Sequence, residues 1–395
     1  MLKKNFPLVF IILTSFLIFS PVVPLYFFQD DFFLLTISRI NNIRDFLRFF
    51  IPANGVIWYR PLSSQVFFFI GQNLFGLNPF PYHLVMLLTH LLNIYLVFLF
   101  TKKLCKNEKI VLVASFIYGV SSVHFITLAW LATYSFILGP TFVLLTLLYY
   151  LKKKYKSSLL FFVFGFLTSE VVIWTLIPLT FITAVYQKSR VKLVPFLIAV
   201  LAVIFVRNVL FPVRYVEAYS IIINPLNMFS LFKFYLYRTV GIPMLIKSMP
   251  NNLFKFIILL LSAIVILIPI ISLFHKKTNS KLLLLSLAIY ISFLSIFLFL
   301  PFHYSPHYLT FSLIGVSLFL GLIISSSARP IQAIFIISYF ILQAVTVKLT
   351  YDTHWVVKRA RLAKKLVQEG NLVHPVGSEK YISLGAGKAA EVFKK

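Results

Sequence analysis

Long uncharged apolar stretches alternate with short polar segments along most of this chain. The first stretch, Phe6 to Phe28, is long enough to cross a bilayer as a helix, which takes about 20 residues. Further apolar stretches of this kind recur to residue 349, and two of them are short. The pattern predicts eleven spans, at residues 6–28, 82–101, 110–128, 133–151, 158–168, 171–186, 193–211, 253–274, 282–300, 308–327 and 330–349.

An all-α polytopic membrane protein is therefore the predicted fold class. Hydrophobic residues make up 60% of the chain and charged residues only 12%, as expected for a helix bundle in lipid. We assign residues 1–350 to a transmembrane domain and residues 351–395, which are polar and basic, to a short tail. In residues 40–50, apolar and charged side chains fall on opposite helical faces, which predicts a juxtamembrane helix. A second juxtamembrane helix is expected within residues 211–252.

Short basic clusters between the apolar stretches set the predicted orientation. The net charge is +27, and clusters such as those beginning at Lys102 and Lys152 belong in the cytoplasm by the positive-inside rule. This arrangement predicts a cytoplasmic N-terminus and an extracytoplasmic tail, and it argues against nucleic acid as a partner. The short stretches at 158–168 and 171–186 form either a hairpin with Glu170 at its outer tip or one re-entrant segment.

Two adjacent carboxylates, Asp30 and Asp31, follow the first apolar stretch in "YFFQDDFFLL", although the chain has only ten acidic residues. One interpretation is a boundary that fixes the depth of the first helix. Apolar residues follow the pair at once, however, whereas a simple boundary would continue into a polar loop. Because charge inside lipid is costly, we predict that the pair lies beside a polar cavity at the outer surface.

Several motifs accompany this acidic pair. Between Tyr59 and Phe100 the chain contains Tyr-Arg-Pro-Leu, Phe-Gly-Leu-Asn-Pro, Tyr-His-Leu and His-Leu-Leu-Asn. Weaker matches follow in Ser169-Glu170, in "HYLTFSLIGVSLFLG" from His307 and in "HWVVKRARLAKKLV". Together they resemble the GT-C superfamily of membrane glycosyltransferases, in the branch of the protein O-mannosyltransferases and the tetratricopeptide-bearing transmembrane mannosyltransferases.

The resemblance implies an enzyme that transfers a sugar from a polyprenyl-phosphate donor to a hydroxyl of a protein, lipid or glycan on the outer face. It also implies that the acidic pair of the first outer loop lies at the centre of the site. Carboxylates suit this chemistry, because they can act as a general base and stabilise an oxocarbenium-like transition state. The predicted catalytic residues are Asp30 as base, Asp31 as its orienting partner or a cation ligand, and Glu170. The reverse assignment of the two aspartates stays open.

A lipid phosphate that leaves in this reaction needs cations around it, and arginine can bind phosphate with two parallel hydrogen bonds. The predicted donor phosphate-binding residues are Arg60, Arg214, Arg238 and His307, of which His307 stands where the family often has arginine. A divalent cation, Mg²⁺ or Mn²⁺, is a further option. Its candidate ligands are Asp31, Glu170 and His124. Residues 121–136 contain no acid, although related enzymes often carry one in the second outer loop.

A transporter or flippase of lipid-linked sugars is the alternative function. It would share the hydrophobicity and the charged outer loops of this chain. Transporters of this kind typically carry inverted repeats or acids at the membrane midplane. We find neither pattern in the sequence, which therefore favours the enzyme, with membrane lipid, the polyprenyl-phospho-sugar and the acceptor as its partners.

Overall fold

The computed structural model describes residues 2–52, 58–187, 190–211, 216–244, 251–275 and 279–393. Within these ranges the chain is helical and contains no β-strand. The first helices are α1 (Leu2–Phe19), α2 (Asp30–Ile37), α3 (Ile43–Arg48), α4 (Phe67–Phe75), α5 (Pro79–Leu104), α6 (Glu108–Val120), α7 (His124–Ala129), α8 (Ser135–Leu151), α9 (Tyr155–Phe166) and α10 (Leu176–Ile182). The remaining helices are α11 (Val194–Phe205), α12 (Pro225–Val240), α13 (Asn252–His275), α14 (Ser280–Ser295), α15 (Leu313–Ile324), α16 (Arg329–Thr353), α17 (Trp355–Gln368), α18 (Glu379–Ser383) and α19 (Lys388–Phe393).

Seven helical segments of the described ranges are long and apolar enough to cross a membrane, and three shorter apolar helices accompany them. The seven are Pro79–Leu104, Leu131–Leu151, Glu170–Gln187, Arg190–Leu210, Asn252–Phe274, Ser280–Phe299 and Arg329–Thr353. The shorter helices are Phe6–Val22, Tyr155–Phe166 and Leu313–Ile324. The predicted all-α polytopic fold class is thereby confirmed. The stretch predicted as one span at 110–128 is instead divided into α6 and α7, because Ser121 is extended and ends α6.

Helix α15 lies at the centre of the bundle, where glycines allow its neighbours to approach closely. A Cβ atom on Gly315 would come within 2.4 Å of the Ser286 carbonyl oxygen of α14. On Gly321 it would lie 3.0 Å from the Ile110 carbonyl oxygen of α6. Small residues at helix contacts are the usual way to pack helices in lipid, because dispersion contacts replace the missing hydrophobic driving force.

The segment after α16 packs against the first loop. Helix α17 buries an apolar face that joins the same hydrophobic cluster as Phe27 and Phe32. The buried residues of this face are Val356, Val357, Ala360, Ala363 and Leu366. Farther along, the Ser383 carbonyl accepts a hydrogen bond from the Gln29 amide at 2.9 Å. The region predicted as a tail is thus tied directly to the residues that precede Asp30.

Two predicted local helices are present. Helix α3 begins after Asn42, whose side chain accepts a hydrogen bond from the Asp45 amide, and this cap satisfies a free backbone donor. Helix α12 begins in the same way after Asn224. Helix α9 ends at Phe166, and a short helical segment that begins at Glu170 leads into α10, an arrangement compatible with both the predicted hairpin and the re-entrant segment.

Candidate active site

A cavity of about 1020 Å³ lies where several segments distant in sequence converge. Its walls include the start of α2, the loop before α4, the turn between α7 and α8, the segment after α9, the end of α11, the segment before α15 and the start of α17. The predicted site residues that line it are Asp30, Arg60, Glu170 and His307. A space of this size, with apolar walls and a few polar groups, is typical of a small-molecule site.

The two adjacent aspartates occupy different environments. Asp30 lines the cavity at the first position of α2, after Gln29, which has a positive φ of 49°. Asp31 is fully buried. Its two carboxylate oxygens accept hydrogen bonds from the Phe28 amide at 3.1 Å and the Ala132 amide at 2.8 Å. Asp30 can thus contact a ligand in the cavity. Asp31 instead connects the first loop to the turn that precedes α8 through its two hydrogen bonds.

Arg359, on α17, is the charged neighbour of Asp30. Burial raises the pKa of the Asp30 carboxyl, and the positive charge of Arg359 partly opposes that rise. The guanidinium of Arg359 donates to the Gln29 side-chain oxygen at 2.8 Å and makes two hydrogen bonds to the Glu379 carboxylate, at 2.6 and 3.1 Å. Arg359 therefore reaches the cavity from a region that the sequence suggested was a peripheral tail.

Arg60 and Glu170, predicted separately, form an ion pair in the cavity wall. The Arg60 Nε atom donates to one Glu170 oxygen at 2.7 Å, and the Tyr59 amide donates to the other at 2.6 Å. Nη1 of Arg60 lies 3.4 Å from the Ser135 hydroxyl, and the guanidinium lies over the Phe136 ring. Glu170 thereby fixes the Nε side of the guanidinium. This arrangement suits an orienting role for Glu170.

His307 lies in the wall of the same cavity and is nearly inaccessible to solvent. One ring nitrogen, Nδ1, makes a hydrogen bond with the Ser305 hydroxyl at 2.7 Å, and the ring packs edge-on against Phe136. Burial, with the nearby His303 and Arg60, lowers the pKa of His307 to about 3. His307 is consequently neutral near pH 7. It can offer a phosphate a hydrogen bond but no positive charge.

Arg238 is placed outside this cavity, and Arg214 lies outside the described residues. Arg238 donates through Nη1 to the Ile242 carbonyl at the end of α12. It lines a separate small pocket, whose other walls include Met244 and Pro306. Since these two residues also line the main cavity, Arg238 is a neighbour of the site.

The candidate metal ligands are not brought together. Both carboxylate oxygens of Asp31 and of Glu170 already accept hydrogen bonds from N–H groups. His124 is buried away from the cavity, with Nε2 placed 3.0 Å from the Tyr118 carbonyl. Within the described ranges, no group of three or more His, Cys, Asp or Glu side chains is arranged to hold a metal ion. The predicted donor set does not fit one shared cation, and we derive no step through a metal.

Sequence reasoning missed the contributions of Trp130, Trp355 and Arg359 to the cavity. The available signal was the spacing of Val356, Ala360 and the other apolar residues in α17, which is typical of a helix that packs against a core. The high content of lysine and arginine in the same segment obscured it. Trp130 carries no comparable signal, because its loop is as apolar as the helices around it.

No protein-family model matches the sequence, and no curated protein matches it either. In structure, the chain is similar to ArnT from Cupriavidus metallidurans, known from a crystal structure bound to undecaprenyl phosphate. The TM-score is 0.54 at 13% identity, over 98% of this chain and 76% of that one. At this identity the similarity shows a shared fold alone, and the predicted mannosyltransferase branch is unconfirmed. The protein is therefore a polytopic membrane protein, helical throughout its described ranges, that shares the fold of ArnT.

Proposed function

We propose that this protein is an integral membrane glycosyltransferase that transfers a sugar from a polyprenyl-phosphate donor to an acceptor hydroxyl on the extracytoplasmic face. The observation that carries the proposal is the convergence of Asp30, Arg60, Glu170 and His307 in one cavity. The bound undecaprenyl phosphate of ArnT, which has the same fold, supports a lipid-phosphate donor. The shared fold does not favour the alternative of a transporter or flippase.

Asp30 serves as the general base in this proposal. The acceptor hydroxyl oxygen attacks the anomeric carbon of the donor sugar, and its proton passes to the Asp30 carboxylate. The bond between the anomeric carbon and the phosphate oxygen breaks, and its electron pair leaves with the polyprenyl phosphate. A carboxylate with a raised pKa is a stronger proton acceptor than an ordinary one, which suits Asp30 to this step.

Arg60 is the proposed phosphate-binding residue. Its ion pair with Glu170 holds the guanidinium in one orientation, so that little side-chain freedom is lost when a phosphate binds. A fixed cation beside the leaving oxygen stabilises the negative charge that develops there. His307 contributes a neutral hydrogen-bonding ring to the same wall.

The test is to incubate the purified protein in lipid nanodiscs with a panel of polyprenyl-phospho-sugars and acceptors, and to follow donor consumption by mass spectrometry. Asp30→Asn should reduce the transfer rate by about 100-fold or more, the usual contribution of a general base. Asp45→Asn is the matched control, because Asp45 lies in the same loop but does not line the cavity. It should keep the wild-type rate.

Correct insertion of both variants is checked by their thermal unfolding in nanodiscs. A wild-type transfer rate in a properly inserted Asp30→Asn variant would rule out Asp30 as the base. Absence of donor consumption across the whole panel, with the wild-type protein intact, would count against the proposed function itself.

A further inference from the structure

All tryptophans of this chain line one cavity. The sequence contains 4 tryptophans among 395 residues, and Trp58, Trp130, Trp174 and Trp355 all stand in the wall of the proposed active site. They come from separate parts of the chain, so their proximity results from the fold. In a membrane protein, tryptophan is otherwise enriched in belts at the two lipid–water interfaces.

Trp130, which lines the same cavity as Asp30, carries an unsatisfied polar group. Its indole Nε1–H is buried and has no hydrogen-bond partner among the residues that the structure describes. One face of the ring stacks on Phe28, at 5.7 Å between centroids, and Phe28 itself is fully buried. A buried indole N–H usually has a partner, and an unpaired one calls for an explanation. Trp130 itself lines the cavity, so a ligand bound there is a candidate partner.

The start of α17 completes this corner of the cavity. The ring of Trp355 meets that of Trp130 edge to face, at 5.4 Å and 80°. The guanidinium of Arg359 lies over Trp355 at 4.6 Å and also donates to the Gln29 side chain. Two indole rings, a guanidinium, an amide and the Asp30 carboxylate are thereby grouped in one part of the wall.

We propose that Trp130 and Trp355 form a sugar-ring subsite, in which a neutral hexose packs its C–H face on the indoles and accepts a hydrogen bond from Trp130 Nε1–H. This inference rests on the proposed function and deepens it, since the ring would be held next to Asp30. The hexose belongs either to the donor or to the acceptor, and both present the same chemistry.

The composition of the corner selects a sugar over the other parts of the substrates. An isoprenoid chain has no polar atom to accept the Trp130 N–H. A phosphate in this corner would meet the negative charge of Asp30. A neutral hexose offers a weakly polar face for the aromatic rings and hydroxyls at its rim for the N–H, amide and guanidinium groups. A neutral hexose therefore fits both the aromatic and the polar groups of this corner.

Binding of methyl hexosides to the full chain in nanodiscs tests the subsite without any need for turnover. Saturation-transfer NMR gives the Kd for each glycoside. Trp130→Phe keeps an aromatic ring and removes the Nε1–H, so the Kd should rise about three- to tenfold, as for the loss of one hydrogen bond. Tyr95→Phe, which removes a polar group from an aromatic side chain on an exposed face of α5, should leave the Kd unchanged.

The outcomes separate this inference from the proposed function. Unchanged glycoside affinity in Trp130→Phe, or no saturable binding to the wild-type protein, would overturn the subsite whatever the transfer assay shows. Sugar binding without any transfer would overturn the proposed function and leave the subsite standing. In the transfer assay, Trp130→Phe should raise the KM of one substrate alone. A raised KM for the donor places the donor sugar in the subsite, and a raised KM for the acceptor places the acceptor sugar there.

Discussion

At the level of single residues, two side chains of the same type can have different roles when their surroundings differ. Asp30 and Asp31 are adjacent and chemically the same, yet only Asp30 faces the cavity. Both carboxylate oxygens of Asp31 accept hydrogen bonds from backbone amides, one 101 residues away and the other 3 residues away. The sequence indicated that the pair is special, but it could not separate the two roles, because the separation depends on a turn contributed by a distant segment.

Under the proposed function, the charge of Arg359 should influence the pH dependence of sugar transfer. Protonation of a general base abolishes its activity, so the rate should fall as the pH drops through the Asp30 pKa, which burial raises above the ordinary value of 3.8. The positive charge of Arg359 lowers that pKa, and Arg359→Gln should therefore move the acidic limb of the kcat profile to higher pH. Arg361→Gln, on the same helix but outside the cavity, should leave the limb in place. A limb that is identical in Arg359→Gln and wild type would contradict the assignment of the base.

At the scale of elements, apolar length was sufficient to predict most of the helices, because a chain in lipid must satisfy its backbone hydrogen bonds within each segment. The break between α6 and α7 escaped prediction, since hydrophobic residues continue through it. The packing of α17 against the first loop also escaped prediction, in this case because the helix is polar in composition. Its exposed lysines and arginines dominate the composition, although Val357 and Ala360 are fully buried.

Gly385 should be essential for seating the last elements against the first loop. It has a φ of +67°, and a Cβ atom there would lie 2.4 Å from the Gln29 carbonyl oxygen. Gly385→Ala should therefore displace the backbone that precedes Asp30 and lower kcat. Gly370→Ala is the matched control, because Gly370 has a φ of +68° and a Cβ atom there would meet no other described residue within 4 Å. Both variants lose about 1–2 kcal/mol of stability from the left-handed backbone, but only Gly385→Ala should slow transfer. Equal rates in the two variants, measured at matched folded fractions, would argue against the contact.

At the scale of the whole molecule, the proposal that the cavity opens on the extracytoplasmic face can be tested by labelling. In a Cys105→Ser background, Val373→Cys places a thiol at an exposed position after α17, and Glu108→Cys places one at the start of α6. A membrane-impermeant maleimide should label intact cells at position 373 and should reach position 108 only after permeabilisation. The reverse pattern would place the cavity on the cytoplasmic side.

The hydrogen bond between Gln29 and Arg359 joins residues 330 positions apart, which has a consequence for biosynthesis. At about 5–20 residues per second, the ribosome adds Arg359 roughly 20 to 70 seconds after Gln29. Throughout that interval the nascent chain carries Asp30 without the wall that faces it. Under the proposed function, the site is complete only after Arg359 has been synthesised, and a polypeptide released from the ribosome before that point would be an inserted but inactive helical fragment.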